Sequence, residues 1–365
     1  MAYTFEQAKK RFRDDDIREL SQDADGLRFL KLPSLSRREH MERLAEDCGL
    51  THPGLRGDSL LRFLYDSKIT VEQIEQTINA IYLEERSQRR EGEDELISEL
   101  YRIQLFDWGG LHQNSLEKTI VDNYVKKIKS YNRLCDCIEN ELHESMRGYV
   151  LCSWYNHWTS RIIEDVFRDH DAILPAVGLI KKIDFFFNDV PFDLKVTYMP
   201  EGFIEEKRRG DRLRPEITLL KSFCRDHSIH FGSGLRGARL REDLWAKVSD
   251  HPSESASQLI ADMKNKRMEY LRSALTDPVE LIKWLYENQG VRRFDASNRL
   301  FLVLVDGDNF FDSWKLKRAK PLLVESIHSH LGRAPDTPGF VVSFEWDGSE
   351  YVVRSDIIFV IHSRE

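Results

Sequence analysis

The sequence predicts an α/β protein: a mixed sheet flanked by helices, preceded by an all-helical N-terminal region. Three observations predict it. Residues 1–145 carry apolar side chains at helical spacing, short apolar strand-like runs begin near Val177, and strand and helix patterns then alternate to the end of the chain. At 365 residues and 41% apolar, with 20 Phe, 12 Tyr and 7 Trp, the chain can fill a real core. Its length suits two domains, or one domain with a large accessory region, and its composition excludes global disorder.

In the first region, "ITVEQIEQTINAIYLEE" places Val71, Ile74, Ile78 and Ile81 on one helical face. "RSQRREGED" reads as a solvated charged stretch. After the turn signal "DWGGLHQN", Ser115 is the expected N-cap of a helix of about eight turns reaching Met146. A helix follows from Tyr149 to Phe167, then strands between Val177 and Met199. A mostly helical, basic insertion covers about 200–290, with Asp277-Pro278 opening its last helix. "RLFLVLVD" is a strand buried on both faces, and Pro321 interrupts the helix after it. "GFVVSFEW" and "YVVRSDIIFVIH" flank Asp347-Gly348 as a closing hairpin. The expected division is thus a helical domain over 1–145 and a sheet-containing domain over 146–365.

The start of the chain is charged, and no run approaches the roughly 18 apolar residues of a membrane span. Five dispersed cysteines suit a reducing compartment, so a cytoplasmic protein without a membrane partner is expected. A net charge of −8 argues mildly against a generic nucleic-acid coat, but Lys207 to Arg241 holds ten Lys or Arg against three Asp or Glu. Nucleic acid responds to that local field rather than to the sum. The candidates for phosphate contact are Arg208, Arg209, Arg212, Arg236, Arg239 and Arg241.

The chemistry concentrates in "KKIDFFFNDVPFDLKVT", Lys181 to Thr197. With Asn188-Asp189 as a two-residue turn, Asp184 falls opposite Asp193 and Lys182 opposite Lys195. Ile183, Phe185, Phe187, Val190, Phe192, Leu194 and Val196 then line one apolar face, and Lys182, Asp184, Asp193, Lys195 and Thr197 the other. Directly opposed carboxylates about 5 Å apart repel by roughly 3 kcal/mol at an effective dielectric near 20. A divalent cation between them reverses that sign, and Mg²⁺ takes one or two carboxylates.

An acid on one strand followed by Asp-x-Lys on the next, here Asp184 and then Asp193-Leu194-Lys195, resembles the PD-(D/E)xK nuclease superfamily of restriction-endonuclease-like enzymes. The resemblance covers about 149–361, interrupted between Pro200 and Arg299, and Ile183 stands where the motif's proline would be. It implies a core of helix, three strands, helix and strand, and metal-dependent cleavage of DNA phosphodiesters in restriction or phage defence. It implies Mg²⁺, replaceable by Mn²⁺, on Asp184 and Asp193, with Lys195 orienting the attacking water. A further acid is expected from the preceding helix, where "WTSRIIEDVF" points to Glu164, with Asp165 in reserve. A homodimer and a defence-system partner protein also follow by analogy. A rival class is a binding subunit that keeps the fold without turnover.

Other motifs compete. "LVDGDNF" sets Asp306 and Asp308 after a strand and resembles the acidic motif of topoisomerase-primase-type phosphoryl-transfer domains; the plainer expectation is a turn with Asp312 or Ser313 capping the next helix. "GSGLRG" fits G-x-G-x-x-G but lacks a strand before it, so an arginine-bearing loop is expected rather than a dinucleotide site. Cys135-x-Cys137 lies on a helix, where i and i+2 do not share a face, and His157 lacks a nucleophile partner.

Overall fold

A computed structural model describes residues 3–363 except 15, 53, 68, 107–115, 179–182, 233, 289–297 and 334–337. The fold is α/β, with one six-stranded mixed sheet flanked by helices. Its strands are β1 (Ile173–Pro175), β2 (Phe185–Phe187), β3 (Val190–Tyr198), β4 (Asn298–Asp306), β5 (Phe340–Trp346) and β6 (Ser349–His362). They lie in the order β1-β2-β3-β4-β6-β5. β3, β4 and β6 are parallel, and the flanking pairs are antiparallel. Among the described residues no strand precedes Ile173.

The continuous apolar run of β4 is explained by its place between two parallel neighbours with helices on both faces. Leu300, Leu302 and Leu304 pack with Ile163, Val166, Phe167, Leu323 and Ile327. Phe301, Val303 and Val305 pack on the other face, with Phe203, Leu271, Leu281 and Leu285. Two hairpin turns have the positive φ values their residues tolerate: Asn188 and Asp189 at 45° and 65°, Asp347 and Gly348 at 49° and 75°. The insertion after β3 contains the helices Glu201–Gly210, Glu216–Asp226, Gly237–Ser249, Glu254–Thr276 and Val279–Asn288. Asp277 accepts the Val279 N–H at 3.1 Å, as expected of a helix start. Pro321 lies in the first turn of the helix Lys320–Leu331, separated by Ala319 from the 3₁₀ helix Phe310–Arg318.

The N-terminal region differs in detail from expectation. The long helix ending at Met146 is broken after Val125, and Ser130 starts a new turn by accepting the Arg133 N–H. Ser115 and the turn signal before it lie outside the described residues. The helix His143–Arg168 runs across position 145. "RSQRREGED", expected as a loop or an exposed helical turn, is the last turn of the helix Val71–Arg90, the turn Glu91-Gly92 and the start of the helix Glu93–Leu100, and it buries Arg86 and Glu93. Arg86 holds Asp169 and Glu93, and Arg89 pairs with Asp165 at 2.9 Å, tying this helix to His143–Arg168. The N-terminal core also takes in Val177, Ile183 and Phe186 from around β2. Buried Lys31 donates to Asp189 Oδ1 of the β2–β3 turn at 2.5 Å and also pairs with Glu75. Helical region and hairpin therefore share one interior.

Candidate active site

The hairpin follows the expected register for three pairs: Phe187 with Val190, Phe186 with Pro191, Phe185 with Phe192. The next pair differs. The Asp184 N–H donates to the Phe192 carbonyl at 2.8 Å, so Asp184 and Phe185 both face Phe192, the arrangement of a β-bulge. Asp184 is therefore not directly opposite Asp193. Its Oδ2 accepts the Leu194 N–H at 2.7 Å, standing in for a ladder carbonyl. The extra residue also upsets the alternation of faces. Ile183 packs with Phe186, whereas Phe185, Phe187, Val190, Phe192, Leu194 and Val196 share the other cluster. Lys182 lies outside the described residues.

The charged groups nevertheless converge. Burial pushes the Asp184 carboxyl up to about 6; the Leu194 N–H and the Lys195 charge oppose the rise, and the charges of Asp193 and Glu164 add to it. Lys195 Nζ donates to Asp193 Oδ1 at 2.5 Å. Arg299, the β4 neighbour of Asp193, brings its Nε to 4.0 Å from Oδ2. The entry to β2 and the middle of β3 thus carry two aspartates, one of them costly to ionise, and an ammonium against the other.

Glu164 reaches the same neighbourhood from the helix His143–Arg168. Its Oε2 lies 3.4 Å from Arg161 and 3.3 Å from Arg168, and Arg168 also donates to the Asp184 carbonyl at 3.3 Å. Arg168 was not among the residues expected here; its signal was the i,i+4 spacing from Glu164. Asp165 is buried and already engaged by Arg86 and Arg89, which takes it out of reserve.

Mg²⁺ is commonly held by one or two carboxylates, with water and phosphate oxygens completing its shell. Asp184 and Asp193 are hard oxygen donors of that kind, near enough that the charge of Asp193 adds to the rise at Asp184. Among the described residues no group of three or more His, Cys, Asp or Glu is placed to hold a metal. The donor set that fits is the aspartate pair, with Lys195 already on one oxygen of Asp193.

The six arginines separate into different roles. Arg208 is buried, donates to the Arg214 carbonyl at 2.8 Å and lies 3.7 Å from Glu216, so it is structural and not a phosphate contact. Arg241 is engaged by Glu201 at 2.8 Å and by Glu205. Arg209, Arg212, Arg236 and Arg239 are exposed.

The competing motifs are satisfied locally. Asp306 Oδ1 accepts the N–H groups of Asp308 and Asn309 at 3.0 and 2.9 Å, closing a turn after β4. The cap of the next helix is Asn309, which accepts the Phe311 N–H, in place of Asp312 or Ser313. "GSGLRG" follows no strand and leads into the helix Gly237–Ser249, with Gly237 at φ +59°. Tyr155, with Trp154 and Trp158 against it, belongs to a core cluster, and His157 packs edge-on to Trp158. No helix among the described residues is long and apolar enough to cross a membrane. Comparison with protein-family models, with curated proteins and with solved structures finds no match.

Proposed function

We propose that the chain is a Mg²⁺-dependent DNA endonuclease of the restriction-endonuclease-like kind, with Asp184 and Asp193 as metal ligands and Lys195 and Glu164 beside them. The observation that carries this reading is the convergence on Asp184: its carboxyl is raised to about 6 with Asp193, Glu164 and Lys195 all acting on it. Perturbed groups gathered at one place are more frequent at functional sites than elsewhere. The element order around them, a helix, three strands, helices and a parallel strand, agrees with the core that the resemblance implies.

A bound divalent cation would supply charge neutralisation and lower the pKa of a coordinated water. The protein's own groups supply the rest. The Asp184 carboxyl, costly to ionise where it lies, would be favoured in its ionised form by a cation placed between it and Asp193. The Lys195 ammonium lies where it can orient that water and offset charge developing on a phosphate oxygen. Glu164, steadied by Arg161 and Arg168, adds negative charge that favours a cation near Asp184. A restriction or phage-defence setting, a homodimer and a defence-system partner belong to the same proposal.

A binding subunit without turnover is the second reading; it draws on the lack, among the described residues, of a three-ligand metal group. Incubation of supercoiled plasmid with Mg²⁺, with Mn²⁺ or with chelator separates the two. Metal-dependent nicking or linearisation that Asp193→Ala and Lys195→Ala each abolish is expected. Equal cutting by both variants would remove this site from consideration. Loss on Asp306→Ala with retention in Asp193→Ala would transfer the chemistry to the turn after β4.

A further inference from the structure

A cavity of about 340 Å³ opens where β3 and β4 end, walled by Phe106, Thr197, Tyr198, Phe311, Trp314 and Glu242. Its position is physical rather than incidental. The chain leaves β3 toward the helices that cover Phe301 and Val303, and leaves β4 toward the helix that covers Leu300 and Leu302. Successive crossovers on opposite faces leave a crevice beyond the carboxyl ends of the strands, where ligands of open α/β sheets bind. Aromatic rings dominate the wall, with Phe106 and Trp314 stacked at 5.2 Å. Glu242 makes no hydrogen bond or ion pair among the described residues, and burial raises its pKa, with the neighbouring Asp312 adding to the rise. Glu201, Arg241 and Asp312 also border the slot but are held in ion pairs, and an aromatic-walled slot whose Glu242 carboxyl is unsatisfied suits a flat heterocycle that presents N–H donors at its edge.

Two further features say what is attached to that heterocycle. Thr197 is two residues beyond Lys195 on the same strand and the same face, so the slot begins about 7 Å along the backbone from the candidate catalytic lysine. Gln104 and Leu105 also line a second cleft of about 460 Å³, which carries Arg102, Arg147 and Arg239 alongside Glu141 and Glu144, with Arg102 paired to Glu99 and Glu141 to Arg133. Arg147 makes no ion pair among the described residues, and Arg239 is exposed. Aromatic slot and arginine cleft thus adjoin, as base and backbone do in a polynucleotide.

We propose that the slot receives an unstacked nucleobase of single-stranded nucleic acid, its flanking phosphates lying along the arginine cleft. Bases in a duplex keep their edges paired and cannot enter; a single strand offers both a stacking face and a free Watson–Crick edge. Carboxylates accept from the amino groups of such edges. This inference rests on the nuclease reading for its account of the scissile phosphate, but its binding claim does not require cleavage.

The test is fluorescence anisotropy with a fluorescein-labelled DNA 20-mer, single-stranded or annealed to its complement, in chelator so that no cutting occurs. Single strand binding about ten-fold or more tighter than duplex is expected. Leu105→Asp, at an exposed position shared by slot and cleft, is expected to weaken single-strand binding by about ten-fold. Arg147→Ala is expected to weaken binding alike for all sequences and to reduce its salt dependence. Glu242→Gln is expected to change the preference among homopolymers without lowering the unfolding midpoint at neutral pH. Equal affinity for single strand and duplex, or single-strand binding indifferent to both Leu105→Asp and Glu242→Gln, overturns the proposal. If plasmid cutting still requires Asp193 in that case, the nuclease reading stands without the slot. Single-strand binding that responds to these variants, in a protein that never cuts, keeps the slot and removes the nuclease.

Discussion

Replacing Asp184 by Asn tests the electrostatics of the site without reference to any substrate. The amide keeps an oxygen for the Leu194 N–H and nearly the same shape, but cannot ionise. In the folded protein the carboxyl's ordinary value of 3.8 is raised to about 6, chiefly by burial. A rise of that size corresponds to about 3 kcal/mol by which ionisation opposes folding. Between about pH 4 and about pH 6 the folded chain holds more protons than the unfolded one, so this contribution is lost to the fold as pH rises through that window. Asp184→Asn is therefore expected to be nearly neutral near pH 4 and stabilising above about pH 7, by up to about 3 kcal/mol. Urea unfolding followed by tryptophan fluorescence, at steps from about pH 4 to about pH 8 in chelator, gives the difference between the two proteins directly. A difference that does not change with pH, or an Asn variant that is the less stable at neutral pH, would refute the reasoning. Added Mg²⁺ is expected to raise the stability of the unaltered protein and not that of the variant, since ligand binding to the folded state alone adds RT ln(1 + [L]/Kd).

Two further outcomes follow from the packing. Arg208→Met removes two hydrogen bonds from the buried guanidinium to the Arg214 carbonyl and leaves buried Glu216 without that neighbour, so it is expected to cost about 1–3 kcal/mol in urea unfolding while leaving retention on DNA unchanged. Loss of DNA binding in a fully folded variant would return Arg208 to the interface. Gly178→Ala places a Cβ at 2.5 Å from the Ser34 carbonyl oxygen, a backbone contact that cannot give locally. An unfolding midpoint lowered by the equivalent of about 1–3 kcal/mol is expected, and an unchanged midpoint would mean that the two segments do not meet so closely.

Much of the fold was legible because period and punctuation agreed. The run Arg299–Asp306 had to be buried on both faces, and the Asn188-Asp189 and Asp347-Gly348 pairs named their turns. Other features depended on partners distant in sequence. Nothing local distinguishes Arg86 and Arg208 from solvated arginines; Asp169 and Glu93, or Arg214 and Glu216, make them interior. The shared face of Asp193 and Lys195 could be read from strand alternation, whereas Glu164 was pointed to by the family resemblance and not by helix spacing. The bulge could not be read at all, because a one-residue change in register depends on how Phe186 and Ile183 are claimed by the N-terminal core. The cavity beyond β3 and β4 draws walls from residues more than two hundred positions apart, so no window of sequence contains it.

Phe186 has its ring in the helical bundle, while Phe185 and Phe187 on either side have theirs beneath the sheet. The short segment bearing all three works as a rivet through two plates. Loosening the bundle would free the middle ring, and the neighbouring aspartate would move with it. Anything that grips the N-terminal helices thus has a mechanical route to Asp184, and cutting the chain before the sheet would leave the middle ring without its socket.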